Sequence, residues 1–169
     1  MNTADLLIDA FERIQESVHG AVEGLPAEDL HARVDPGANS IAWLVWHLTR
    51  IQDDHIADAA GREQVWSAGG WAQRFALPFP VEATGFGHSR RQVGQVRVDS
   101  AGLLLGYADA VHERTVGFVR GLHGSALDRV VDEAWNPPVT LGVRLVSVIA
   151  DDLQHAGQAA FVRGTLERR

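Results

Sequence analysis

Four long stretches of this chain carry apolar residues at three- and four-residue spacing, with polar residues between them. This periodicity predicts amphipathic α-helices. The stretches cover residues 4–22, 41–56, about 101–122 and 141–166. Thr3 is a plausible N-cap for the first stretch, the pairs Asn39-Ser40 and Asp99-Ser100 and the residue Thr140 are suitable caps for the others, and Gly61 provides a stop for the second. No segment has a convincing strand pattern, so we expect an all-α four-helix bundle in one domain spanning residues 1–169.

Two irregular connections separate these helices. Residues 62–98 lack periodicity but contain aromatic residues, which favour an ordered flap packed on the bundle. This connection is long enough to cross the bundle, so the second and third long helices need not be antiparallel neighbours. Residues 124–140 form the other connection, in which Pro137 restricts Asn136 to an extended conformation and indicates a turn.

Asp151 and His155 are four residues apart in the last helix and therefore project from the same face. Val148 and Val162 belong to that face as well. A carboxylate and an imidazole among apolar side chains are costly unless they are paired or bound to something. Two interpretations follow: a hydrogen-bonded Asp–His pair, or two ligands of a divalent metal that takes a third ligand from another helix.

His47 is the candidate for the third ligand. It shares a face of the second long helix with Leu44 and Ile51, so we expect it to point inward. A lone inward histidine is more often a satisfied core residue than a ligand. Together, however, His47, Asp151 and His155 form a three-ligand set that leaves positions open for water or substrate, as in catalytic metal sites. The ligand types suit zinc, and nickel, iron or manganese are alternatives.

Residues flanking this set are predicted to contact a thiol or substrate. His55 lies two turns after His47 and is expected at the edge of the cavity, with Asp54 beside it. Asp53 is expected to be a solvent-exposed or supporting carboxylate. Trp71 and Asn136 come from the two irregular connections, which we expect to wall the cavity.

The amino-acid composition excludes catalytic mechanisms that depend on cysteine or lysine. The 169 residues include no cysteine, so a disulfide, a thiolate ligand and a cysteine nucleophile are excluded. Lysine is also absent, although arginine occurs 15 times, which excludes a Schiff-base mechanism. Any thiol chemistry would therefore use a thiol supplied from solution.

The net charge and the hydropathy of the chain argue against nucleic acid and membranes as partners. The net charge of −7 and the lack of a basic cluster argue against nucleic acid. No apolar run is long enough for a membrane span, and the N-terminus lacks the basic start of a signal peptide. We therefore expect a cytoplasmic protein whose partners are small molecules, and bundles of this size often form homodimers.

Two motifs resemble those of the DinB superfamily: Trp43-x-x-x-His47-Leu48 and Asp151-x-x-x-His155-x-Gly157-Gln158. The resemblance extends over nearly the whole chain and implies an up-up-down-down bundle with a long crossover between its second and third helices. It also implies a metal bound by the second and fourth helices. Many members use three histidines, and the mycothiol-dependent maleylpyruvate isomerase branch uses His, Glu and His. Asp151 departs from both patterns and is one methylene shorter than glutamate.

The function implied by this resemblance is metal-dependent transfer of a low-molecular-weight thiol, mycothiol in actinobacteria, to an electrophilic small molecule. Such a reaction would serve detoxification. Two alternatives stay open from the residues alone. In the first, the metal activates water for thiol-independent hydrolysis; in the second, the protein is a non-catalytic, stress-related metal-binding dimer.

Overall fold

The computed structural model describes residues 2–168. Within this range, four long helices are joined by short helices and a small two-stranded sheet. The helices are α1 (Thr3–Val22), α2 (Ala27–His31), α3 (Ile41–Ala60), α4 (Val65–Ala68), α5 (Trp71–Phe75), α6 (Arg90–Val93), α7 (Ala101–Arg120) and α8 (Leu141–Leu166). A 3₁₀ turn (Gly124–Asp128) and the strands β1 (Val130–Asp132) and β2 (Val139–Thr140) lie between α7 and α8.

Predicted caps start three of the long helices, whereas α1 is capped by Asn2 and not by the expected Thr3, which is its first helical residue. The side chains of Ser40, Ser100 and Thr140 each accept a hydrogen bond from the backbone N–H three residues later. These contacts satisfy donors that the first helical turn leaves unpaired. At the end of α3, Gly61 adopts the left-handed conformation (φ 62°) that glycine accommodates without strain.

The four long helices form a bundle in which α3 and α1 each pack against both α7 and α8. Its core is aliphatic and aromatic, and its largest fully buried apolar side chains are Trp46, Tyr107, Phe11, Ile14, Leu30, Ile41, Leu44, Leu48, Leu104, Leu141 and Leu145. The all-α bundle expected from the apolar periodicity is confirmed. The short helices in the connections and the antiparallel pair β1–β2 are additions to the four predicted long helices.

The directions of the helices correct the expected up-up-down-down order. The C-terminal ends of α1 and α8 meet, because Arg163 donates hydrogen bonds to the carbonyls of Gly20 and Glu23. The beginning of α3 lies at the same end of the bundle, where Leu44 and Phe161 line one groove. Hence α3 runs antiparallel to both α1 and α8.

The start of α7 also lies at that end. The imidazole Nε2 of His31, in the connection that leads to α3, accepts a hydrogen bond from the N–H of Val98, just before α7. The order is therefore up-down-down-up. The short first connection stays at one end of the bundle, whereas the second connection, residues 61–100, returns along its whole length, as its length suggested.

This crossover covers the outer side of α3. All residues from 41 to 50 are buried, including those that point away from the other long helices. Phe79 and His88 of the crossover pack on Trp46, with ring centroids 6.2 and 5.8 Å away. Within residues 2–168, none of the helices has the length and apolar character needed to cross a membrane.

Candidate metal centre

His47 on α3 and Asp151 and His155 on α8 converge at one point of the bundle. Each offers one ligand atom, and these atoms lie within 4.8 Å of one another. The two imidazole rings have centroids 4.9 Å apart at an interplanar angle of 71°. On α8, Nε2 of His155 lies 3.7 Å from Oδ1 of Asp151, across one helical turn. The antiparallel packing of α3 and α8 therefore brings the three predicted ligands together.

The crossover fixes which nitrogen of His47 faces this point. Nδ1 of His47 lies 2.6 Å from the carbonyl oxygen of Thr84. A carbonyl only accepts hydrogen bonds, so Nδ1 must carry the proton and donate it. Nε2 then keeps its lone pair. This is the tautomer of a histidine ligand whose second nitrogen is oriented by a carbonyl.

Gly85 allows the crossover to come this close to the imidazole. Its φ of +94° is one that residues with side chains rarely adopt. A Cβ atom at this position would lie 2.9 Å from Nδ1 of His47 and 2.9 Å from the ring of Trp46. The hydrogen bond from His47 to Thr84 thus depends on glycine at the next position.

The second histidine is oriented in the same way from its own helix. Nδ1 of His155 lies 3.2 Å from Oε1 of Gln158, which leaves Nε2 toward Asp151. Both imidazoles can therefore present Nε2 to a common point.

The carboxylate of Asp151 supports a cation at this point. Its Oδ2 is buried and has no hydrogen-bond partner among residues 2–168, although the side chain as a whole is 39% exposed. An unpaired buried carboxylate oxygen is costly, and a cation shared with two imidazoles would satisfy it. The donor set of two nitrogens and one oxygen fits a divalent transition metal.

Asp152, the next residue, cannot take part in the same way. It is fully buried, and burial, followed by the charge of Asp151, raises its pKa well above the usual range. Burial thus disfavours the charged form of this carboxyl group, both of whose oxygens lack a hydrogen-bond partner among residues 2–168.

Aromatic rings surround the centre. Trp43 stacks on His47 with centroids 4.6 Å apart and meets His155 edge-on at 6.0 Å. The indole Nε1 of Trp43 donates to Nδ1 of His88 at 3.3 Å. Burial lowers the pKa of both His47 and His88. The centre therefore favours neutral imidazole at His47, the form that binds metal.

His55 and Asp54 lie farther along α3. Nη1 of Arg144 is 3.1 Å from Nδ1 of His55, and burial followed by this guanidinium lowers the pKa of His55. Oδ1 of Asp54 accepts a hydrogen bond from Gln64 at 2.7 Å. Both residues are half-buried, and the role predicted for them at the edge of the site stays a prediction.

Trp71 and Asn136 are not brought to the centre by the contacts they make. Trp71 is buried against Tyr107 at a centroid distance of 5.6 Å and has the guanidinium of Arg74 over its ring. It packs on α7 because a Cβ-free Gly106 leaves room for the indole. Asn136 is exposed in the turn before β2.

Three crossover residues at the centre were not singled out from the sequence: Thr84, Gly85 and His88. Glycines on both sides of Phe86 indicated a turn there. No local pattern indicates which helix that turn contacts, because the hydrogen bond from His47 to Thr84 joins residues 37 positions apart.

A second polar cluster lies farther along α3 and corrects the expectation for Asp53. This residue is 3% exposed, not on the surface. Its carboxylate accepts hydrogen bonds from the N–H groups of Val65 and Trp66 and from the hydroxyl of Tyr107, at 2.7–2.8 Å. Burial and the charge of Asp53 raise the pKa of Tyr107 well above its usual value, so the phenol stays protonated and donates.

Known proteins resemble this chain in sequence and in structure. The family model of the DinB superfamily matches residues 10–159. The crystal structure of a conserved protein from Enterococcus faecalis is similar over 96% of each chain, with a TM-score of 0.90 and 29% sequence identity. Among curated proteins, none matches the chain.

Proposed function

The chain belongs to the DinB superfamily, and from this premise we propose that it is a metal-dependent S-transferase for small molecules. It would join a low-molecular-weight thiol, mycothiol, to an apolar electrophile. The observation that carries the proposal is the convergence of three ligand atoms within 4.8 Å, one of them from the carboxylate of Asp151, whose Oδ2 is buried without a hydrogen-bond partner among residues 2–168.

His47, Asp151 and His155 would hold the cation, zinc being the first candidate and nickel, iron or manganese the alternatives. A bound divalent cation would keep a coordinated thiol in its thiolate form, which is the nucleophile. Thr84 and Gln158 act on the ligands by fixing the protonated nitrogen of each imidazole. Asp151 is the one ionised ligand, so a divalent centre keeps a net positive charge that favours thiolate over thiol.

The chain itself supplies no sulfur, since it has no cysteine. The thiol must enter from solution, and the partly exposed side chains of Asp151 and His155 leave a route open. In the transfer, the sulfur forms a bond to an electrophilic carbon. A displaced group such as chloride leaves, and the thiol proton passes to solvent.

Apolar surface for the electrophile is available beside the ligands. Phe86 is 88% exposed and directly follows Gly85, whose backbone lies against His47. The ring of Trp43 covers the other imidazole edge-on. Large exposed aromatic side chains beside a polar centre are typical of sites that bind apolar ligands.

The test uses protein purified without a histidine tag. Its metal content is measured first, and monochlorobimane consumption is then followed with mycothiol, glutathione, cysteine or no thiol. We expect turnover with mycothiol that is lost after chelation and in His155→Ala. His112→Ala is the matched control, because His112 is a partly buried histidine on α7 outside the centre, and it should keep full activity.

Either of two results would contradict the proposal and favour one of its alternatives. Equal rates with and without thiol would indicate metal-dependent hydrolysis. Stoichiometric metal without turnover on any thiol would indicate a non-catalytic metal-binding protein.

A further inference from the structure

The outer face of α8 carries no charged residue over five helical turns. All ten exposed residues between 143 and 161 are apolar, small or neutral polar: Val143, Val146, Ser147, Ala150, Leu153, Gln154, Gly157, Gln158, Ala160 and Phe161. Several are large and strongly exposed, with Val146 at 63% and Phe161 at 66%. We refer to these ten residues as the α8 face.

The other outer helices of this chain are different. The exposed side of α1 includes Glu12, Arg13 and Glu16, and that of α7 includes Asp109 and Glu113. The apolar outer side of α3 is covered by the crossover. Within residues 2–168, the α8 face is thus a long uncharged surface that the chain leaves uncovered. Depletion of charge is the compositional mark of the centre of a protein interface.

Glycine at position 157 has no explanation within the chain. A Cβ atom there would meet no other atom within 4 Å, and the backbone does not have a positive φ. Glycine in the middle of a helix costs about 1 kcal/mol relative to alanine. Gly20 of α1 and Gly117 of α7 are equally unopposed, so Gly157 permits the close approach of another helix but does not require it.

The apolar positions of the α8 face are complementary to themselves. They repeat at alternating intervals of three and four residues: Val143, Val146, Ala150, Leu153, Gly157 and Ala160. In an antiparallel pair of α8 helices centred between residues 151 and 152, each larger residue faces a smaller one. The pairs are Val143 with Ala160, Val146 with Gly157, and Leu153 with Ala150.

We propose that the α8 face is the interface of a homodimer, in which two copies of α8 pack antiparallel about a two-fold axis near residues 151 and 152. A two-fold contact requires one surface that fits itself, as these pairs do. The occupant is a second copy because the face pairs with itself in this register, and an uncharged contact adds no repulsion between two chains that each carry a net charge of −7. The contact spans about 26 Å of helix, from the 1.5 Å rise per residue.

This arrangement places the partner beside the candidate metal centre. Gly157, Gln158 and Phe161 line one wall of a groove of about 430 Å³ between α8 and the start of α3. In the antiparallel pair, the N-terminal half of the partner's α8 lies over these residues. Gln158 also orients His155, so dimerisation would close the groove next to one ligand. The dimer rests on the α8 face alone and does not depend on bound metal.

Sedimentation equilibrium of the full chain tests the interface. We expect a dimer for the wild type and a monomer for Val146→Glu and Leu153→Glu, because each substitution would bury two carboxylates in the interface, one from each copy. Val81→Glu is the control, since Val81 is similarly exposed (48%) on the crossover, and it should remain dimeric. Circular dichroism confirms that each variant is folded. A monomeric wild type, or folded glutamate variants that stay dimeric, would overturn the proposal.

Cysteine crosslinking tests the antiparallel register in a chain that has no cysteine of its own. Mixed Val146→Cys and Gly157→Cys chains should form an intermolecular disulfide on mild oxidation. Each variant alone should not, because two copies of one such position lie roughly 16 Å apart along the helix axis. Efficient crosslinking of Val146→Cys with itself would instead indicate parallel helices and overturn this geometry.

Discussion

Asp53 and Asp151 both place a carboxylate oxygen in the interior of the bundle, but their surroundings differ. Asp53 accepts three hydrogen bonds, two from the start of α4 and one from Tyr107. Oδ2 of Asp151 accepts none within residues 2–168. The fold provides hydrogen-bond donors for the carboxylate of Asp53, whereas residues 2–168 provide no partner for Oδ2 of Asp151. Burial of charge alone therefore does not identify a functional site; at Asp151 the carboxylate with the unpaired oxygen also lies beside two imidazole nitrogens that could share a cation with it.

The Asp53 cluster has a supporting role for the metal centre. The guanidinium of Arg50 lies 3.7 Å from Asp53 and donates its Nε–H to the carbonyl of Ala83 at 3.2 Å. Ala83 precedes Thr84, whose carbonyl accepts the hydrogen bond from Nδ1 of His47. The hydrogen bonds of the Asp53 cluster thus hold the crossover in the position from which Thr84 orients His47 in the candidate metal centre.

The largest effect should come from removing a ligand. His47→Ala should reduce bound metal from one equivalent to none, because two ligands remain and the oriented Nε2 is lost. Metal analysis of purified protein measures this. His112→Ala should retain full metal content, and a full equivalent in His47→Ala would remove His47 from the ligand set.

Neutralising the two carboxylates should give opposite results. Asp53→Asn should destabilise the metal-free protein by about 2–4 kcal/mol, because three donors and the buried Arg50 lose their ionised partner. Asp151→Asn should leave the metal-free protein at least as stable as the wild type, because it removes an unpaired buried carboxylate oxygen, while it greatly weakens metal binding. Urea denaturation with chelator present provides the measurement. Equal destabilisation by both substitutions would show that the two carboxylates do not differ in kind.

Gly85→Ala should weaken metal binding about 10- to 100-fold, the usual effect of disturbing the group that orients a histidine ligand. The added Cβ would clash with His47 and displace the loop from it. Gly87→Ala is a close control: its φ is also positive (+72°), but a Cβ there meets nothing within 4 Å. Competition titration with a metal indicator compares the two, and equal affinities would contradict the steric role of Gly85.

The smallest effect concerns pH. Burial lowers the pKa of His47 in the folded, metal-free protein, whereas in the unfolded chain it should titrate near about 6.5. Below that value the unfolded state binds more protons, so this residue makes stability fall as pH decreases. Urea midpoints at pH 7 and pH 5 with chelator should therefore differ less in His47→Gln than in the wild type. Metal occupancy should fall over the same range, since ligand histidines must be neutral.

The sequence predicted those features that repeat locally. Apolar spacing located the long helices, and the four-residue interval on α8 together with the inward face of α3 led to His47, Asp151 and His155. Their proximity could be proposed because bundle helices must turn their apolar faces together. The metal itself and the thiol remain predictions.

The features that the sequence did not predict mostly involve the crossover. Its residues lack periodicity, so neither its path over α3 nor the contact between Gly85 and His47 had a local signal. For the same reason the sequence left open whether Asp53 is exposed or supporting: it is buried by Tyr107 of α7 together with the start of α4, and the position of α4 had no local signal. Helix direction was also missed, since periodicity gives the face of a helix but not which end meets its neighbour.

The centre joins two parts of the chain separated by about 100 residues, since His47 lies on the second long helix and Asp151 and His155 lie on the last. A cation held between them would act as a reversible crosslink that closes this long loop. Folding has already brought the two ends of the loop together, so binding does not incur the entropic cost of closing it. Metal binding would therefore add directly to the stability of the native state. The amount of metal available in the cell would then set not only how much of the protein is loaded but also how long it survives proteolysis.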